Sequence, residues 1–343
     1  MTTMKIPTYK NFEEKREHFQ IKKIDTIEKF EKVFDEHRRS CGIYRGVNSA
    51  SYKIYTSKQR EFICNSTNVD YISALEENHY IQKYFQLAKI SMGEFSCYSI
   101  LQHYKKPTPF VDFTKNFSIA LFFAMHEVEL SNHSDEINDY VTVFFIPDKN
   151  VCLLDISDKL TETMKRKKLS IKEHDTCYQS LFWKFCESAL KDELPKIFLL
   201  KDDKNYKEFI NINNNQRIIM QEGLFIYNNY EKNHLLPLEE SLKSFCKDEI
   251  ENIKHSIENE KYMYEPDTQL IQEFEKDTKK LQEFQERFEE NIITSYEINK
   301  KLISDIKRQF KLPDKDLIYF DIEKILNNIN SENTDNKHNN LKI

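Results

Sequence analysis

His103, Tyr104, Thr108, Asp112 and Thr114 stand close together in the segment 101–124, LQHYKKPTPFVDFTKNFSIALFFA. His103 can carry a proton near neutral pH, or sit as a satisfied core histidine. Asp112 and Thr114 can hold a ligand, or serve as cap and turn residues through side-chain bonds to nearby backbone. Pro107 and Pro109 keep the chain extended just upstream. Beyond them Phe117, Ala120, Leu121, Ala124 and Val128 form an apolar stripe at helical spacing, which predicts a buried helix capped by Asn116 or Thr114. Polar side chains held at the mouth of such a helix suit a site. Two further polar groups frame it: Arg45 in Ile43-Tyr44-Arg45-Gly46, and Gln221-Glu222 before Gly223-Leu224-Phe225. The Arg45 fork can hold a phosphate, or pair with Asp112 and pin two elements together.

These three pieces, in this order, carry a resemblance. The run QHYxxPTPxxDFT followed by ALFFA is similar to the signature of the FRG-domain family of bacterial and phage-borne proteins, written QHYGLPTRLLDWT and then ALxFA. The Tyr44-Arg45-Gly46 element, the Gln221 to Phe225 element and a tail at Asp316 to Asp321 (DLIYFD) complete it. The chain departs from the pattern at Lys105, Pro109, Phe113 and Phe117, where the family has Gly, Arg, Trp and Pro.

The order of an Arg on an early strand, a Thr at a helix mouth and a late polar pair also resembles the arginine–serine–glutamate class of ADP-ribosyltransferases. That resemblance implies NAD as substrate and no metal. Cleaving a C–N glycosidic bond needs a phosphate clamp, a stacking aromatic ring and a carboxylate near the developing cation. The roles would fall to Arg45 with Gly46, to Tyr44, Tyr104 or Phe122, and to Glu222, with His103, Asp112, Thr114 and Gln221 lining the same pocket. If Glu222 points outward along its strand, Gln221 points in and Asp112 becomes the nearest other acid. The implied function is a toxin-like, NAD-using effector in conflict between bacteria and phages. The alternative is a non-catalytic recognition module for a nucleotide, a nucleic acid or a partner protein.

The elements that must position these residues follow from periodicity. Helices are predicted over 26–37, over 73–90 with Tyr80, Ile81, Tyr84, Phe85 and Ala88 inward, over 95–104, over 178–191 and over 298–310. Strands are predicted at Gly42 to Val47, Val141 to Ile146, Val151 to Leu154, Ile197 to Leu200, Gln216 to Met220, Leu224 to Tyr227 and Leu317 to Phe320. Residues 49–60 read as extended, and Pro147 to Asn150 as a turn. From Leu238 the apolar positions Leu242, Cys246, Ile250, Ile253 and Ile257 read as a helix that breaks at Pro266, and a second helical run follows.

The expected fold is therefore mixed α/β: a strand-rich core at 1–237, a charged helical hairpin at 238–290 projecting from it and open to a protein partner, a helix and strand at 291–326 completing the core, and a disordered tail at 327–343. Of the four glycines in 343 residues, each is expected where positive φ or close backbone approach is needed. The net charge of −6 does not indicate a nucleic-acid partner, although Lys165 to Lys168 are a local basic run. Seven cysteines without a CxxC do not point to a zinc site, and no apolar run is long enough to span a bilayer. The charged N-terminus lacks a signal peptide's apolar run, which fits a cytoplasmic protein with reduced thiols.

Overall fold

The computed structural model describes residues 5–38, 41–65, 71–88, 92–104, 106–128, 136–157, 194–201, 212, 216–229, 235–260, 278–279, 282, 285–286 and 291–319. The fold is mixed α/β. Its centre is a seven-stranded sheet of β1 (Gln20–Ile24), β2 (Gly42–Val47), β3 (Phe110–Thr114), β4 (Tyr140–Pro147), β5 (Ile197–Leu200), β6 (Gly223–Asn228) and β7 (Thr294–Asn299). The order across the sheet is β1-β7-β4-β2-β3-β6-β5, with β1 and β7 parallel and every other pair antiparallel. β4 is buried along all of YVTVFFI, as befits a strand covered on both faces.

Helix Phe117–Met125 packs on β2 closely enough to exclude any side chain at Gly46. A Cβ there would lie 1.8 Å from the Ala120 carbonyl oxygen and 2.7 Å from the Ala124 nitrogen. Close approach, not positive φ, is what this glycine supplies; no described glycine has positive φ. The helix starts at Asn116, whose side chain accepts from Ser118 N, and Phe117 fills the space between Tyr44 and His37.

Several expected strands are helical. Val151 to Leu154 continues a helix begun at Asp148, where a turn was expected. Gln216–Met220 is a helix stopped by Glu222, whose φ of 46° is left-handed. Leu317 and Ile318 lie in helix Lys315–Ile318, capped by the Asp314 side chain. The stretch 49–60 ends in helix Ser57–Asn65, which carries Arg60. The helix expected over 73–90 is two, Tyr71–Glu77 and His79–Ala88, because the Asn78 side chain caps the second by accepting from Tyr80 N and Ile81 N. Of its expected inward face Phe85 is buried and Ile81 packs partly buried on the same small cluster, while Tyr80 is 83% exposed.

β1, β3 and β7 were not expected. β7 reads TSYEIN, and its Glu297 is fully buried because Lys15 meets it at 2.7 Å; the Lys15 ammonium also donates to the Ala50 carbonyl and Thr142 Oγ1. The helix expected over 298–310 is confined to Ile303–Gln309 by this strand.

Helix Leu238–Glu260 does not simply project. Leu238, Leu242, Phe245, Cys246, Ile250 and Ile253 are buried in the main core. Its first turn is tied down by Glu239, which accepts from Tyr9 Oη at 2.5 Å and from Ile54 N. The helix expected at 178–191, the basic run at 165–168, most of the second hairpin helix and the tail at 327–343 lie outside the described residues. Among the described residues no helix is long and apolar enough to cross a membrane.

Candidate functional site

β2, β3 and β6 are neighbours, and one transverse row runs Tyr44, Thr114, Gly223 across them. The three sequence elements singled out above therefore meet at one place in the sheet. Two polar groups stand there.

The first group surrounds Arg45. β2 and β3 share only the Tyr44–Thr114 pair, so beyond it the Asp112 carbonyl has no β2 partner in the ladder. Arg45 Nη1 supplies one, donating to that carbonyl oxygen at 2.8 Å, and lies 3.7 Å from the Asp112 carboxylate. Asp112 Oδ2 in turn accepts from Gln102 Nε2 at 2.8 Å, and Thr108 Oγ1 donates to Gln102 Oε1. Ser57 closes the chain: its Oγ accepts from Thr108 N at 2.9 Å, and Lys58 N donates to the Thr108 carbonyl. Helix Ser57–Asn65, helix Glu94–His103 and β3 are thus joined by one run of hydrogen bonds ending at Arg45.

Arg60, one turn beyond Ser57, donates from Nη1 to the Tyr55 carbonyl at 2.8 Å. Burial pushes both guanidinium pKa values down; Asp112 opposes this at both, and Arg60 lowers Arg45 further. The Arg45 side chain is 18% exposed and that of Asp112 52% exposed, so the group opens to solvent on the Asp112 side. Arg45 Nε is buried without a partner.

The second group surrounds Thr114. Its Oγ1 donates to the Gln221 carbonyl at 2.7 Å and accepts from Asn116 N at 3.0 Å. Asn116 Nδ2 donates to Glu222 Oε1 at 2.8 Å, and Lys115 N to the Glu222 carbonyl. The Glu222 side chain stands outward beside Asn116. Gln221 does not reach Arg45. Its Nε2 donates to the Ile318 carbonyl at 2.9 Å, docking helix Lys315–Ile318 on this end of the sheet.

The expected aromatic platform divides. Tyr44 is 1% exposed, stacked on Phe145 with its hydroxyl 3.0 Å from His37 Nδ1, so it offers no face to a ligand. Gly46 is likewise sealed against the helix Phe117–Met125 backbone and cannot admit a cofactor. Phe122 is half-buried and stacks on His126, beside Tyr319. Tyr104, at the end of helix Glu94–His103, is 69% exposed and available. The His103 backbone ends that same helix, next to Gln102; its side chain lies outside the described residues.

Arg60, Gln102 and Ser57 belong to the Arg45 group and were given no role by motif reasoning, which named Thr108 without assigning it one. Gln102 and Thr108 were in plain view within QHYxxPT, but their bonds to each other, to Ser57 and to Asp112 depend on how two helices and β3 meet. Arg60 had no such signal, because its place depends on a helix where extended chain was expected.

Residues 40–133 match the family model of the FRG domain. The matched span holds Arg45, Arg60, Gln102, Thr108, Asp112 and Thr114, while the Gln221 to Phe225 and Asp316 to Asp321 elements lie beyond it. No curated protein and no solved structure matches the chain.

Proposed function

We propose, for a chain of the FRG-domain family, that the Arg45 and Thr114 groups are two ends of one NAD site and that the nicotinamide–ribose bond is cleaved there. The observation that carries this reading is the row Tyr44, Thr114, Gly223 on adjacent strands, which brings the backbones that carry Arg45 and Glu222, each next to a row residue, to either side of the helix-mouth threonine. Arg45 faces a phosphate with the donor edge that Asp112 leaves unused. Tyr104 gives an exposed ring at the end of helix Glu94–His103. Glu222, oriented by Asn116, is the carboxylate that stabilises charge at the ribosyl carbon. In the reaction the C–N bond breaks and its electron pair leaves with nicotinamide. Water or an acceptor hydroxyl then bonds to that carbon and loses a proton, giving hydrolysis or ADP-ribosyl transfer. The setting that fits is a toxin-like effector in conflict between bacteria and phages.

Nicotinamide release from NAD, with transfer of a tagged ADP-ribosyl group, tests the proposal directly. Arg45→Lys is expected to abolish both while melting like the parent, since an ammonium cannot reproduce the planar fork. Full activity in Arg45→Lys would overturn it. Expression toxicity, relieved by Arg45→Ala, is the cellular counterpart.

One observation favours a second reading, recognition without cleavage. The polar atoms of the Thr114 group already bond to one another and to backbone, as in a closed turn. On that reading a nucleotide binds at Arg45 and no nicotinamide is released.

A further inference from the structure

We infer that Arg60 is the second arm of a pyrophosphate clamp, sharing Asp112 with Arg45 and facing a bound diphosphate group together with it. This rests on the reading of the Arg45 group as a phosphate site and specifies which phosphate-bearing ligands it takes.

The argument begins with charge. Arg45 lies 3.7 Å from the Asp112 carboxylate, and the helix that carries Arg60 is bonded to the same carboxylate through Ser57, Thr108 and Gln102, so two guanidinium groups, both drawn down by burial, share the field of one carboxylate. An element that only had to pin β2 to β3 would need one arginine, and a second one nearby costs repulsion in a medium of reduced dielectric. The surplus is balanced when an anion enters. The neighbouring polar chain holds this imbalance in place: Ser57, Thr108 and Gln102 bond in series from the helix of Arg60 to the Asp112 carboxylate beside Arg45.

Geometry agrees with the charge. Arg45 has spent Nη1 on the Asp112 carbonyl and keeps a buried Nε with no partner. Arg60 has spent Nη1 on the Tyr55 carbonyl, and its other N–H groups bond to no described residue. Each arginine is thereby anchored by one backbone oxygen and left with a donor edge, the arrangement that binds phosphate oxygens in pairs. Two such edges on separate elements, a strand and a helix, match two linked phosphates better than one. The shared chemistry is a pyrophosphate group, which NAD and a nucleoside diphosphate both carry.

The test compares the full-length parent with Arg60→Gln and Arg60→Lys in low-salt buffer, titrating inorganic pyrophosphate, inorganic phosphate, ADP and NAD while following thermal stability and affinity. Without anion, Arg60→Gln is expected to melt at or above the parent, because it removes a repulsion; a merely structural arginine would lower the melting point. Its affinity for pyrophosphate is expected to fall roughly 10- to 100-fold, as for loss of a charged hydrogen-bonding pair. Orthophosphate should be affected less, and ADP and NAD should follow pyrophosphate. Parent-like pyrophosphate affinity in Arg60→Gln would overturn the inference. If Arg60→Gln does not fold, Arg60→Lys decides, since it keeps the charge but loses the fork: undiminished pyrophosphate affinity refutes the clamp, and a clear loss with a parent-like melt supports it. Failure of the NAD reading looks different. Arg60-dependent pyrophosphate binding without nicotinamide release leaves the clamp standing, whereas nicotinamide release undiminished in Arg60→Gln removes the clamp alone.

Discussion

Glu239 is the residue whose perturbation has the most readable outcome. It is 4% exposed at the first turn of helix Leu238–Glu260, accepting from Tyr9 Oη and Ile54 N. Burial pushes its pKa from 4.5 up to about 7, against the hydrogen bonds that would lower it. The folded chain therefore holds a proton that the unfolded chain releases between these values. Stability falls as pH rises from about 4.5 to about 7 and is level above that; the loss is on the order of 3 kcal/mol. Other groups face the same place: Glu240, Lys243 and Lys53, with Tyr55 nearby and His18 in the adjoining cleft. His18 and His37 both have lowered pKa values, so their contribution has the opposite slope, present above about 6.5 and lost as pH falls. The measurement must therefore be a difference. Glu239→Gln keeps the shape and removes the titration while leaving both histidines in place. Denaturant unfolding of parent and variant from pH 4.5 to 8 should show the variant gaining on the parent as pH rises, by about 3 kcal/mol in total. A difference that stays constant across this range would refute the buried, proton-holding Glu239.

Three other outcomes follow from packing. Gly46→Ala should cost at least about 1–3 kcal/mol in denaturant unfolding, because its Cβ would collide with the backbone at Ala120 and Ala124 and no side chain can yield. Lys15→Met should cost about 3–5 kcal/mol by leaving Glu297 buried and unpaired, and Lys15→Met with Glu297→Leu should cost less, measured in the same way. Deleting Ser241 to Glu289 and bridging the ends should abolish the cooperative thermal transition, because Leu242, Phe245, Cys246, Ile250 and Ile253 leave the core with it. The cheap closure of a long loop does not offset the loss of about 1.5–3 kcal/mol for each large buried side chain.

Sequence reasoning succeeded where the pattern was local. Val141 to Ile146 is continuously β-branched or aromatic, and it is an interior strand between β7 and β2; Ile197 to Leu200 was placed to the residue. Phe117 to Ala124 was legible because its apolar spacing and its Asn116 cap agree. It failed where a distant partner decides. Thr294 to Asn299 looks polar, and becomes a strand because Lys15, nearly the whole chain away, neutralises Glu297. Gln216 to Met220 is apolar enough for a strand, but Glu222 accepts the left-handed conformation that stops a helix. Leu242 and Cys246 were read correctly as one helical face, and only the fold shows that the face belongs to the core. At the candidate site the sequence brought Arg45 to Asp112. It did not anticipate that Gln221 would turn to Ile318, or that Tyr44 would be enclosed among aromatic rings.

The way the polar residues are bonded also separates those that hold from those that can act. Gln102, Thr108 and Ser57 are bonded to one another, and Gln102 continues the chain to Asp112. Thr114 has given its hydroxyl to Gln221 O and Asn116 N, so it fixes the corner between β3 and the following helix. The groups with unspent donors are the two arginines, each held by one backbone carbonyl. Three of the four departures from the family pattern, Pro109, Phe113 and Phe117, fall on the holding side, and Lys105 lies outside the described residues. Phe113 is 4% exposed in the core, Phe117 packs against Tyr44, and the Pro109 carbonyl accepts from Asn228 N. A site whose frame is made of buried neutral side chains can change those residues and keep its arginines in place, provided that the run from Ser57 to Asp112 stays intact. Gln102→Leu tests this directly. It removes no charge, yet it frees the Asp112 carboxylate to turn, so it should weaken pyrophosphate binding several-fold while melting close to the parent. Unchanged affinity in Gln102→Leu would mean that Asp112 is held by Arg45 alone and that the polar run is incidental to the site.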